Sequence, residues 1–163
     1  MTTSTNSAVI TVGYVKDLID NEIIEFIAHP DYYSLEDYEF NAIVLGVSNY
    51  LGLRDYVMGL PVVHDIKLVR EWISFFITEL SDNDDDLVPF HTIYSALSYE
   101  LEELTLANAY LSLGIQKDYP LATLLSRVYS AGWPIESVAR MRQELHPKVI
   151  QSLLERESEG ILI

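Results

Sequence analysis

The chain has 163 residues, of which 49% are apolar, so it is long enough and apolar enough to form a folded core. It contains no cysteine, which excludes disulfides, thiolate nucleophiles and cysteine-ligated metal sites. Its formal net charge of −15 argues against a protein that binds nucleic acid through the phosphates, because such binding needs a basic surface.

Apolar residues at three- and four-residue spacing predict four helices in the first part of the chain. These helices are expected over residues 12–28, 34–47, 50–58 and 65–80. Ser34 is the expected N-cap of the second helix, with Asp37 three residues later as a weak capping-box partner. Ser48 and Asn49 are expected to form the turn that follows it.

The second part begins with aspartates at positions 82, 84, 85 and 86 around Asn83, a run that predicts an exposed loop. Pro89 is expected in the first turn of the next helix, where proline is well tolerated. Helices are then expected over residues 89–101, 104–115, 121–131, 134–145 and 147–158, with Pro147 opening the last one. Residues 8–12 are the single candidate strand.

These elements predict an all-α fold. We expect one domain over residues 1–163, built as an array of about eight or nine short helices with residues 1–10 flexible. Short loops favour antiparallel packing of sequential helices. Residues 1–7 have no basic region followed by an apolar run, and no apolar stretch approaches the ~20 residues of a membrane helix. The sequence therefore predicts a cytoplasmic protein without membrane contact.

Four short segments between residues 44 and 138 carry a resemblance to a known family. They are Leu53-Arg54-Asp55, Leu106-Ala107-Asn108, Leu121-Ala122 with Leu124-Leu125, and Ala131-Gly132-Trp133-Pro134. In this order they resemble the C-terminal helical half of an actinobacterial family of unknown function. The family's N-terminal α/β part has no counterpart in this sequence, and its Asp-Pro-Asp-Tyr-like connection is replaced by Asp118-Tyr119-Pro120. The resemblance implies a helical fold and brings no activity, cofactor or catalytic residue.

Residues 96–125 also loosely resemble one tetratricopeptide-type helical hairpin. Ala107 would be the small residue at which the two helices approach each other. One such hairpin cannot form a repeat array, because stacked neighbours are needed to bury its faces.

The sequence contains no recognisable catalytic or metal-binding constellation. Its four histidines are never spaced i, i+4, and it has neither a glycine-rich phosphate loop nor a nucleophile elbow. Asp82, Asp84 and Asp86 match the first ligands of a calcium loop, but Leu87 and Ile93 stand where that loop needs glycine and glutamate. We therefore expect no metal, no cofactor and no enzymatic activity.

The acidic residues are concentrated in the first two-thirds of the chain. Residues 1–103 contain 19 acidic and 4 basic residues, whereas residues 104–163 contain 6 of each. The segment of residues 31–39 holds three tyrosines and four acids, which suits recognition of a basic partner. The candidate partner-binding residues are Asp31, Tyr32, Tyr33, Glu36, Asp37, Tyr38 and Glu39. The alternative interpretation is a helix start with half-buried tyrosines.

Three functions remain open on the sequence. The first is an acidic helical protein–protein interaction or regulatory module that binds a protein with a basic surface, without catalysis and without direct contact to nucleic acid. The second is a nucleic-acid mimic of the phage or plasmid type, which inhibits a DNA- or RNA-binding protein. The third is a small-ligand binder or enzyme with a cleft between helices. Homo-oligomerisation through exposed aromatic residues or the tail of residues 161–163 is compatible with each of them.

Overall fold

The computed structural model describes residues 10–81 and 83–161 and confirms the all-α class. The described residues form eight α-helices and two short strands. The helices are α1 (Val12–Ala28), α2 (Asp37–Asn49), α3 (Leu51–Met58), α4 (Ile66–Glu79), α5 (Asp84–Glu100), α6 (Leu104–Gln116), α7 (Pro120–Ser130) and α8 (Ile135–Glu155). The strands β1 (Ile10–Thr11) and β2 (Gly160–Ile161) pair antiparallel, with Ile10 opposite Ile161. No described helix has the length and apolar character needed to cross a membrane.

The chain divides into two compact units. Unit 1 contains the described residues up to Val57 together with those from Lys148 onward, and unit 2 contains Met58–Pro147. The prediction of a single domain over the whole chain stays a prediction. Residues 1–9 of the segment expected to be flexible lie outside the described residues, whereas Ile10 is paired in β1 and buried.

Unit 1 is built around the apolar stripe of α1. Val15, Ile19 and Ile23 recur at four-residue spacing and are completely buried, as are Ile43 of α2 and Leu53 of α3. The Thr11 side chain caps α1 by accepting a hydrogen bond from the Tyr14 backbone N–H at 3.1 Å. Both predicted ends of α1 are confirmed, because the cap and the His29-Pro30 stop are local signals.

The core of unit 2 is aromatic where α4 meets α5. The Phe76 ring stacks on Phe90 at 5.1 Å between centroids and meets Trp72 edge to face at the same distance. Offset and edge-on pairs of this kind stabilise a core beyond the area they bury. A second buried cluster, of Tyr99, Ala107, Leu111, Ala122 and Tyr129, joins α5, α6 and α7.

The predicted start of α2 is wrong. The helix begins at Asp37 rather than Ser34, and Glu36 occupies the cap position with extended backbone angles. Residues 30–32 form a 3-10 turn, after which Tyr33 is extended because its side chain is held against α1. The predicted turn at Ser48 and Asn49 is also wrong, because both residues are helical and the break falls at Tyr50.

The prediction of an exposed aspartate loop is wrong for the described residues, which do not include Asp82. Asp84, Asp85 and Asp86 form the first turn of α5, and the Asn83 side chain accepts a hydrogen bond from the Asp86 N–H at 3.2 Å. Carboxylates are favourable there because a helix N-terminus carries partial positive charge. Pro89 consequently lies inside α5 rather than in its first turn.

Pro147 does not open a new helix either. The chain from residue 135 to residue 155 is one helix, α8, with Pro147 inside it. A proline inside a helix removes one backbone hydrogen bond but does not always end the helix, since surrounding contacts can hold its path. The sequence-based prediction relied on the local effect of proline, because contacts with the surrounding structure cannot be read from the sequence.

Gly114 sets the distance between α6 and α7. A Cβ atom at this position would lie 2.5 Å from the Ala122 Cβ, which is closer than two such atoms can approach. Both atoms are attached directly to helix backbone, so a rotamer change cannot relieve the overlap. The two helices pack closely only because both positions carry small residues.

We predict that Gly114→Ala lowers the free energy of unfolding by about 1 kcal/mol. Overpacking costs about 1–3 kcal/mol, and the better helix propensity of alanine offsets about 1 kcal/mol of that cost. Urea unfolding of Gly114→Ala, of the exposed control Ser112→Ala and of the double variant Gly114→Ala with Ala122→Gly measures the effect. The double variant should recover most of the loss, whereas an equal loss in single and double variants would show that the two helices do not meet at this point.

Candidate functional site

The predicted partner-binding segment runs through three kinds of backbone. Asp31 and Tyr32 lie in the 3-10 turn, residues 33–36 form a connection in which Tyr33 and Glu36 are extended, and residues 37–39 form the first turn of α2. Tyr32 is 87% exposed and Tyr38 is 55% exposed. Asp31, Glu36 and Asp37 are also exposed, whereas Tyr33 and Glu39 are half-buried.

Tyr33 attaches this segment to α1. Its ring meets Phe26 edge to face, with the centroids 5.3 Å apart. Its hydroxyl donates a hydrogen bond to Glu22 Oε1 at 3.0 Å. These contacts give Tyr33 a positioning role, and they bring the first turn of α2 beside the polar side of α1.

Tyr38 then pairs with an aromatic residue that sequence reasoning missed. The rings of Tyr14 and Tyr38 lie 6.3 Å apart at an interplanar angle of 60°. Tyr14 is 39% exposed, so both rings present area to solvent. Tyrosine supplies rigid contact area with a polar end, which is the composition typical of interaction surfaces.

Glu39 lies near these rings, and Glu22 and Glu25 lie about two and three helical turns further along α1. Burial raises the pKa of Glu22, the hydrogen bond from Tyr33 opposes the rise, and the charges of Glu39 and Glu25 add to it. Burial likewise raises the pKa of Tyr14, and the neighbouring Tyr38 and Glu39 add to that rise. A charge that raises the pKa of Glu22 or of Tyr14 must lie near that group.

We name the group of Tyr14, Glu22, Glu25, Tyr38 and Glu39 the acidic surface of unit 1. Every lysine, arginine and histidine of the chain lies within the described residues, and none of them forms an ion pair with any of its three glutamates. Five other acids do pair with cations. The acidic surface therefore carries negative charge that the chain itself does not neutralise by contact.

Sequence reasoning found one half of this surface. Tyr38 and Glu39 belong to the predicted segment, whereas Tyr14, Glu22 and Glu25 come from α1. The polar side of α1 was visible in the sequence. What could not be read was that the first turn of α2 would lie against it, because that contact depends on Tyr33.

Several polar groups buried in unit 2 form hydrogen bonds within its core. Ser95 Oγ donates to the Ala107 carbonyl at 2.6 Å and lies 2.9 Å from the Tyr129 hydroxyl. Burial raises the pKa of Tyr129 to about 12, so its phenol stays protonated at neutral pH. The Tyr99 hydroxyl donates to the Trp133 carbonyl at 2.5 Å. These bonds join α5 to its neighbours. The hydroxyl groups of Ser95, Tyr99 and Tyr129 therefore have a structural role and are not arranged for acid–base catalysis.

An open depression of about 510 Å³ lies at the start of α6. Its lining residues are Glu102, Glu103, Leu104, Thr105, Leu106 and Ala109, nearly all of them exposed. A ligand site normally encloses its ligand and adds convergent polar groups, and this lining includes no tyrosine, histidine or aspartate. Among the described residues, no group of three histidine or acidic side chains is placed to hold a metal ion.

Comparisons of the chain with protein-family models, with curated proteins and with solved structures find no match. The resemblance to the actinobacterial family therefore stays a prediction.

We predict that Tyr33→Phe weakens the folded state in a pH-dependent way. Because the pKa of Glu22 is raised in the folded state, ionisation of Glu22 lowers stability as the pH rises through that value. The Tyr33 hydroxyl counteracts this cost, so its contribution is present above the pKa and is lost as the pH falls through it. We expect a loss of about 1 kcal/mol at pH 7 and a smaller loss near pH 4, measured by urea unfolding.

Tyr32→Phe is the matched control, because Tyr32 is 87% exposed and makes no described hydrogen bond through its side chain. It should leave the stability unchanged at both pH values. An equal loss for Tyr33→Phe at both pH values would contradict the assigned contact with the ionised Glu22.

Proposed function

We propose that the chain is a non-catalytic interaction module that binds a protein with a basic surface through the acidic surface of unit 1. The observation that carries this proposal is the grouping of Glu22, Glu25 and Glu39 without a cation of the chain in contact with them. A basic partner would supply the missing counter-charge. Binding would then be favoured by relief of repulsion among the carboxylates as well as by direct attraction.

The exposed tyrosines add apolar contact to this electrostatic attraction. Tyr14 and Tyr38 lie on the same surface as the carboxylates, so one partner can engage both. Complementary charge chiefly accelerates association and selects partners, whereas buried aromatic area contributes most to affinity. A surface with both components is suited to specific but salt-sensitive binding.

The two alternatives have less support. A nucleic-acid mimic needs regular rows of negative charge, whereas the acidic surface of unit 1 combines three glutamates with two exposed tyrosine rings. A cleft for a small ligand would need an enclosed pocket, and the depression at α6 is open. The absence of direct nucleic-acid contact and of enzymatic activity stay expectations from composition and motifs.

We predict that a partner captured by the immobilised protein depends on the acidic surface. The test variant carries Glu22→Gln, Glu25→Gln and Glu39→Gln. The matched control carries the same change in charge at exposed acids of unit 2, with Glu79→Gln, Glu136→Gln and Glu144→Gln. Each protein is exposed to a lysate of the source organism at ~0.05 M and ~0.5 M salt, because the higher salt screens exposed charges.

The expected result is a protein retained by the native chain and by the control variant, and lost from the test variant and at high salt. The retained protein should then prove to have a basic surface. Equal retention by both variants, or retention that salt does not change, would contradict the proposal. The far-ultraviolet circular dichroism of each variant establishes that it is folded.

A further inference from the structure

Two sites within the described residues each combine a tyrosine ring, a carboxylate and a cation. The first is in unit 1, where Lys16 Nζ lies 5.1 Å from the centre of the Tyr56 ring. The same Nζ forms an ion pair with Asp20 Oδ2 at 2.9 Å. The cation is thus held by a ring and by a carboxylate at once.

The second arrangement is in unit 2. The guanidinium carbon of Arg70 lies 5.4 Å from the centre of the Tyr94 ring. Arg70 also forms an ion pair with Glu103 and donates a hydrogen bond to Ser98 Oγ at 3.1 Å. Although the helices differ, the combination of groups is the same as in unit 1.

A third arrangement has the ring and the carboxylate without a cation from the chain. Tyr14 and Tyr38 place their rings 6.3 Å apart at 60°, and Glu39 follows Tyr38 in the first turn of α2. No lysine, arginine or histidine of the described residues, which include every such residue of the chain, lies over either ring or pairs with Glu39. Both rings stay partly exposed, so a cation can reach them from solvent.

We propose that Tyr14, Tyr38 and Glu39 bind an arginine side chain of the basic partner. This inference rests on the proposed function and specifies the chemistry of its contact. The two rings contact each other edge to face and are both partly exposed, so a flat cation can stack on an exposed ring face while Glu39 provides the counter-charge.

Arginine suits this site better than lysine for a physical reason. A guanidinium group is planar and weakly hydrated, so one face can stack on a tyrosine ring while its edge donates hydrogen bonds to a carboxylate. An ammonium group is a strongly hydrated point charge that loses more water to make the same contacts. At a surface that stays open to solvent this difference favours arginine.

The test is a titration of the whole chain, labelled with ¹⁵N, with three peptides followed by NMR. The peptides contain four Gly-Arg-Ser repeats, the same repeats with lysine in place of arginine, and the same repeats with citrulline, which keeps the shape of arginine without its charge. We expect the arginine peptide to shift the amide signals of Tyr14, Tyr38 and Glu39. It should bind at least about threefold more tightly than the lysine peptide, and the citrulline peptide should not bind.

Substitutions then separate the rings from the charge. Tyr38→Leu should weaken binding of the arginine peptide about threefold, whereas Tyr38→Phe should keep it within about twofold because it keeps the ring. Trp133→Leu is the matched control and should bind like the native chain, since it removes a ring that is 40% exposed and belongs to unit 2. Equal binding of the lysine and arginine peptides, or an equal effect of Trp133→Leu and Tyr38→Leu, would overturn the inference.

The two proposals can fail separately. If Tyr38→Leu leaves peptide binding unchanged while the triple glutamine variant of the acidic surface weakens it, the arginine site is wrong and the proposed function stands. If neither variant weakens binding, both are wrong.

Discussion

The contact between Tyr33 and α1 determines where the acidic surface of unit 1 lies. The ring of Tyr33 packs on Phe26 and its hydroxyl donates to Glu22, which fixes the start of the non-helical connection of residues 33–36. Helix α2 can begin only after this anchor. Its first turn therefore places Tyr38 and Glu39 beside α1, where Tyr14 and Glu22 belong to the same surface.

Two acids that lie beside tyrosine rings of the chain also meet a cation. Asp20 pairs with Lys16 near Tyr56, and Glu103 pairs with Arg70 near Tyr94. Exposed ion pairs of this type add little stability, so their value lies in defining geometry and removing repulsion. The carboxylates of the acidic surface have no such partner in the chain, and their repulsion is a cost that a basic partner would relieve. This connects the local electrostatics to the proposed function.

The sequence predicted those features that depend on local signals. The predicted bounds of α1 agree with the structure, in which His29-Pro30 follows the end of the helix, and those of α4 agree to within one residue at each end. The caps at Thr11 and Asp65, whose side chains accept backbone hydrogen bonds, are found in the structure. The errors at Ser34 and Pro147 have the opposite origin. In each case a local signal for a helix start was overruled by the fold, at the first site by Tyr33 and at the second by a helix that continues through its proline.

The candidate site was predicted only in part for the same reason. The composition predicted an acidic–aromatic group near the start of α2. In the structure this group also includes residues of α1, because Tyr33 contacts Glu22, 11 positions earlier in the chain. A single sequence does not reveal which tyrosine of such a segment is an anchor and which is exposed. Tyr33 and Tyr38 have the same side chain but different roles. Tyr33 is half-buried against α1, whereas Tyr38 is exposed to solvent.

The central claim is that the glutamates of the acidic surface are uncompensated within the chain. The most direct test is the pKa of the Glu22 carboxyl group in the free protein, followed through its ¹³C chemical shift during an acid titration by NMR. We predict a pKa above the ordinary value for glutamate, because burial and the charges of Glu39 and Glu25 outweigh the hydrogen bond from Tyr33. A pKa at or below the ordinary value would contradict this claim, since it would mean that the hydrogen bond from Tyr33 or a cation of the chain already offsets the burial and the repulsion.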